Sequence, residues 1–293
     1  MKAVLVFCEG NHDVVFAARS LGQVAGAAWM NMPIGELPSP LGHVPDLSQP
    51  NNPKIRGLIS SRYSGRSLDE SSLQAAVHPP VPAFEAILRD QNILYVLIRC
   101  NGDAAASAAL ELVNETVILL NPAFGTDVEQ IAAAFLFDAD TSLATREMQF
   151  AHEYMLLLDG MTAPTHGGWV NSTIPVGLYV FHDSSTQQGT LENVLGPLVA
   201  AEWNLRWAAA DSYLSTHAQP TDPISAKPAE WLKAQINIAG QFVLPGDPMS
   251  QVIGRRGLSA SHFSGHESRS LVAFLQAVPW QTNGLTTRSI QSA

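Results

Sequence analysis

"LVFCEGNHD", residues 5–13, decides how the chain is read. An apolar run stops abruptly at Glu9 and Gly10, and a second carboxylate, Asp13, follows four residues after the first. Residues 2–8, "KAVLVFC", are short, continuous and apolar, which is the pattern of a strand buried on both faces. Beyond them the period changes. Val14, Val15, Ala18 and Leu21 fall on one face of a helix over 12–22, with Asn11 or Asp13 as its cap. The same move recurs at 132–142, "AAAFLFDADTS", where an apolar run ends in Asp138 and Asp140.

Working outward, "ILYVLIRCNGD" (93–103) and "PVGLYVFHD" (175–183) read as further buried strands. Residues 133–137 are the strand that delivers Asp138, and 116–122 a short additional one. Helices are expected over 82–91, 104–113, 126–133, 142–158, 189–207, 227–239 and 268–278. Strands alternating with helices predict an α/β fold: a mostly parallel sheet with helices on both faces, an irregular insertion and a helical C-terminal part. The insertion is the stretch rich in proline, glycine and asparagine that includes "NMPIGELPSPLGHVPDLSQPNNPK". In such sheets ligands sit at the carboxyl ends of the strands, where these acids lie.

The chain has 293 residues, 46% apolar and 14% charged, enough to bury a real core. A net charge of −10 gives no global basic field to attract nucleic acid, so a polyanion partner needs a local basic patch, a bound cation or a partner subunit. Two basic patches stand out: Lys54, Arg56, Arg62 and Arg66, and the Arg255–Arg256 pair in "GRRGLSASHFSGH", a candidate nucleic-acid contact. The two cysteines, Cys8 and Cys100, each sit in an apolar run and read as reduced core residues without a CxxC zinc pattern. No apolar run approaches the roughly 18 residues of a membrane span, and a cytoplasmic location is the expectation.

Each acidic motif has a plain structural explanation by itself. Acids in a first helical turn are favoured by the helix dipole, and a DxD is commonly a turn or cap. Together they are more telling, because carboxylates crowded at one sheet edge repel each other unless protons or a cation neutralise them. Asp138 and Asp140 share a face if the strand has not yet bent. Oxygen ligands without a Cys/His set favour Mg²⁺ or Mn²⁺.

Strand–"EGNHD"–helix followed by strand–"DAD"–helix resembles the Toprim domain. The later "VGLYVFHDSSTQQGTLENVL" resembles the third acidic element of the OLD-like (overcoming lysogenization defect) Toprim nucleases. The resemblance implies a Toprim-like core over 1–22 and 93–200, an insertion at 23–92, a helical extension at 201–278 and a tail at 279–293. It implies a metal-dependent nuclease cleaving DNA or RNA with two ions. Glu9 and Asp13 would hold one metal, Asp138 and Asp140 the second, and Glu192 would complete its shell. Lys227 would neutralise the pentacovalent phosphate, with Lys233 as its rival, and Glu9 would alternatively act as a general acid or base. Phage defence with an ATPase partner follows from the same analogy, and a homo-oligomer is a further partner expectation. The cysteine count argues against a primase with a zinc module, and the chain length against a topoisomerase gate.

Two other readings remain open. "FLFDADTS" also fits the nucleophile motif of haloacid-dehalogenase-like phosphatases, with Asp138 attacking phosphorus, Asp140 as acid/base, and Asp183 and Lys227 as later elements. That motif normally opens its fold, and it leaves Glu9, Gly10 and Asp13 unexplained. The alternative is a non-catalytic regulatory subunit of an ATPase complex.

Overall fold

The structure, a computed structural model, describes residues 1–32, 34–48, 54–59, 83–100, 106–254 and 257–281. Its strands are β1 (Lys2–Cys8), β2 (Ala28–Trp29), β3 (His43–Pro45), β4 (Lys54–Arg56), β5 (Ala83–Asp90), β6 (Ile93–Arg99), β7 (Gln130–Asp138), β8 (Gly168–Asn171) and β9 (Pro175–Phe181). Seven form one sheet in the order β2-β5-β6-β1-β7-β9-β8, while β3 and β4 pair separately. The four central strands, β6, β1, β7 and β9, run parallel, and β5, β2 and β8 join antiparallel at the edges.

The continuous apolar runs of the sequence are these central strands, covered on both faces. Alternation decides which face each side chain joins. Val4, Val6 and Cys8 of β1 pack with α1 (Asn11–Ser20) and, from the C-terminal half, α4 (Leu191–Glu202), α6 (Pro228–Gln241) and α7 (His266–Gln276). Ala3, Leu5 and Phe7 face the other way, toward α2 (Ala106–Leu119) and α3 (Leu143–Glu153). A further helix, α5 (Asn204–His217), packs on α4 and α6. The chain is thus α/β, with helices on both faces and a helical C-terminal part. No helix among the described residues is long and apolar enough to cross a membrane.

Local expectations needed four corrections. Residues 83–90, expected as helix, are strand β5, turned back onto β6 through Gln91, whose φ is +46. A short apolar run has no decisive period, and pairing with β6 settles it. Residues 116–119, expected as strand on their β-branched content, complete α2, and the Thr116 hydroxyl donates to the Leu112 carbonyl one turn back. Residues 130–133, assigned to a helix, already belong to β7. Strand β8 was not anticipated, being four residues long and only half-buried.

Phe135 on β7 is fully buried, with ring centroids 4.9 Å from Phe7, 5.3 Å from Phe150 and 4.4 Å from Tyr154. Phe135→Ala is expected to cost about 3–5 kcal/mol, read as a lower urea midpoint with little change in slope.

Candidate functional site

Chain direction creates the site. From β1 the chain moves to one side of the sheet, through β5 and β6, whereas from β7 it moves to the other, through β9. The helix after β1 covers one face, and the helix after β7 covers the opposite face. The carboxyl ends of β1 and β7 therefore flank a topological switch point, the usual crevice for ligands in open α/β sheets. Glu9 follows β1 and Asp138 ends β7.

The contacts show convergence. Glu9 Oε2 accepts a long hydrogen bond from the Asp138 backbone N–H at 3.4 Å, and the Leu191 N–H opening α4 donates to Asp138 Oδ1 at 2.8 Å. Asp13 accepts the Gly10 N–H at 2.6 Å and so also caps its own helix. Glu192 lies in the first turn of α4, with its Oε1 3.6 Å from His12 Nδ1. Asp13 and Glu192 are 6% and 2% exposed, so these charges are held in the protein rather than at its surface.

Burial and mutual repulsion govern the protonation of this cluster. Burial pushes the Asp13 carboxyl up to about 8, and Glu9 and Glu192 push in the same direction, against the Gly10 N–H and Lys233. Asp138 is raised by burial first, then by Asp13, Glu192 and Glu9. Burial also opposes ionisation of Glu192, but the neighbouring His12 and Thr190 side chains and the Lys233 charge hold it below the usual carboxylate range. Lys233 is raised in turn: its partial burial is outweighed by Glu192, Glu230 and Asp138.

Not every expected residue joins. Asp140 is exposed, and among the described residues its carboxylate has no hydrogen-bond or ion-pair partner. The strand bends just before it: Asp140 has φ +51, and its backbone pairs with Gly189. The shared-face geometry expected of Asp138 and Asp140 holds only in an extended chain, so it is lost here. Lys227 is the exposed N-cap of α6, whereas Lys233, further along that helix, is the lysine whose charge acts on the acids. Arg255 and Arg256 lie outside the described residues, as do Arg62 and Arg66.

The oxygen-rich set suits a hard cation. Glu192 Oε2 is buried without a hydrogen-bond partner. Cys8 and Cys100 lie nearby, but burial pushes both thiols up, Cys100 to about 12, so neither offers a thiolate. As they stand, no group of three or more His, Cys, Asp or Glu among the described residues is arranged to hold a metal ion. Sequence reasoning missed Arg146, whose Nη2 lies 3.5 Å from Glu9 Oε2. Its only signal was its place one turn after the "DADTS" segment.

No family model matches the chain, and no curated protein matches it. A solved structure, that of a hypothetical protein from Pyrococcus horikoshii OT3, is similar, with a TM-score of 0.51, 15% identity and 95% of each chain covered. That likeness concerns the fold.

A pH dependence follows from Asp13. Its folded-state value of about 8 lies above the ordinary 3.8, so the folded state binds the extra proton between those limits. The stability this proton confers is complete below pH 3.8 and is lost as pH rises through about 8. Asp138 acts in the same direction, and Glu192 in the opposite one. The Tm of the metal-free protein should therefore fall across this window, and Asp13→Asn, which still accepts the Gly10 N–H, should melt above wild type at pH 8 and close to it at pH 4.

Proposed function

We propose that the chain is a divalent-metal-dependent nuclease of the Toprim type, hydrolysing phosphodiester bonds of DNA or RNA. One observation carries this reading: Glu9, Asp13, Asp138 and Glu192, from three separated segments, act on one another at the crevice between β1 and β7. Two of these acids are pushed toward protonation, and the buried Glu192 Oε2 has no hydrogen-bond partner. A Mg²⁺ or Mn²⁺ ion would remove the repulsion that the protons otherwise relieve.

Glu9, Asp13, Asp138 and Glu192 are the proposed ligands, with Asp140 at the exposed rim beside them in sequence. Bound ions would supply an activated water and stabilise the leaving oxygen. Lys233 takes the place proposed for the basic residue, its ammonium set against charge that builds on phosphorus. The helix N-termini that hold Asp13 and Asp138 fix both carboxylates for this task.

The phosphatase alternative draws less support. Asp183 is exposed, and its carboxylate accepts from Ser185 and Thr186 within its own turn. Lys227 is exposed at its helix end.

The test is cleavage of single- and double-stranded DNA and RNA by the purified chain with Mn²⁺. Glu9→Gln and Asp138→Asn are each expected to lower cleavage by about 100-fold or more, the upper scale for losing even a ligand's supporting partner. Phosphomonoester hydrolysis that survives Glu9→Gln but not Asp138→Asn would favour the phosphatase. Mn²⁺ binding without cleavage of any substrate would favour the regulatory subunit.

A further inference from the structure

Alternation along the strands separates the four clustered acids into two groups. Asp138 continues the row Ala132, Ala134 and Leu136, the row packed with α1 and α4, and both its neighbours Asp13 and Glu192 come from those helices. Glu9 follows the row Ala3, Leu5 and Phe7, which belongs to the other face, the face covered by α3. Glu9 therefore needs support from a different direction. Asp13 and Asp138 are held by backbone N–H groups, and Glu192 by His12 and Thr190. On the side of Glu9 stands Arg146 of α3.

Arg146 is 6% exposed, and no other lysine or arginine among the described residues is buried to that degree. A guanidinium is costly to bury unless paired. Its Nη2 lies 3.5 Å from Glu9 Oε2, its Nη1 donates to Gln149 Oε1 at 3.5 Å, and its carbon centre sits 4.1 Å from the centroid of the Phe137 ring. Phe137 immediately precedes Asp138. The same Glu9 oxygen accepts the Asp138 N–H. Arg146 thus ties the end of β1 to the end of β7 from the face opposite to α1 and α4. A glutamate has several rotatable bonds to restrict, and a planar cation clamped on an aromatic face restricts them well.

Resting on the metal site proposed above, we infer that Arg146 is a positioning residue: it holds the Glu9 carboxylate aimed into the crevice, and so tunes cation affinity without touching the cation or the substrate.

The experiment is Mn²⁺ titration by calorimetry at fixed pH on wild type, Arg146→Met, Arg146→Lys, Glu9→Gln and the Arg146→Met/Glu9→Gln pair, with urea melts of each. Arg146→Met keeps a flexible apolar contact on Phe137 and removes the charge. It is expected to fold and to weaken Mn²⁺ binding about 10–100-fold, as loss of a ligand's outer partner does. Arg146→Lys, which keeps the charge but not the planar fork, should recover part of that loss. In the Glu9→Gln background, Arg146→Met should weaken binding no further, because its effect passes through Glu9. Unchanged Mn²⁺ affinity in Arg146→Met, or a full additional loss in the double variant, would overturn the inference while leaving the metal site standing. If Arg146→Met does not fold, Arg146→Lys decides: affinity equal to wild type overturns the inference. Failure of the wild type itself to bind Mn²⁺ would remove the nuclease reading, and this inference with it.

Discussion

The structure turns on a reversal of chain direction between two neighbouring parallel strands. β1 sends the chain one way across the sheet and β7 sends it the other, so their carboxyl ends flank a topological switch point. Two strands that end in acids border that point, and helices starting on both sides of it bring in more. Crowding follows from topology: the sheet needs apolar interiors for β1 and β7, and polar groups are admitted only where those strands stop.

Crowded carboxylates within a protein cost stability, and the fold meets that cost in two ways. Helix N-termini donate to Asp13 and Asp138, and cations stand beside the glutamates, Arg146 at Glu9 and Lys233 near Glu192. These devices are only partly sufficient, because burial still drives Asp13 and Asp138 toward their protonated forms. The rings of Phe7, Phe135, Phe150 and Tyr154 pack together on the side of α3, Phe7 on Phe135 and Phe150 on Tyr154 stacked and the pairs between them edge-on or tilted. A dense aromatic layer can tolerate strain at its rim that a looser core would relax.

The sequence made the central strands legible because each is a continuous apolar run ended by a polar residue. It also made Glu9, Asp13 and Asp138 legible, since they are those terminators or lie one turn beyond. Glu192 came only through the family resemblance; nothing in "GTLENVL" marks it as buried. β5 was obscured because its residues fit helix and strand alike until β6 is placed beside them. Asp140 was misplaced because a left-handed residue breaks strand alternation, and "DAD" does not disclose it. Arg146 was invisible for the opposite reason: an arginine in "TREMQF" reads as a solvated helix face, and only its place on Phe137 and beside Glu9 shows it turned inward.

Charge balance says something further about how this crevice would be used. Four acidic side chains meet two nearby fixed cations, Arg146 and Lys233. Among the described residues, Glu230 pairs with Lys233 in turn, so the fully ionised cluster and its neighbours carry an excess of negative charge. On the metal-dependent reading, that excess is what a divalent ion would neutralise. Asp140 stays out of this balance, held exposed at the rim by the left-handed turn. The same bend removes Asp140 from the buried cluster, and so avoids burying a fifth carboxylate at a site where two already resist ionisation.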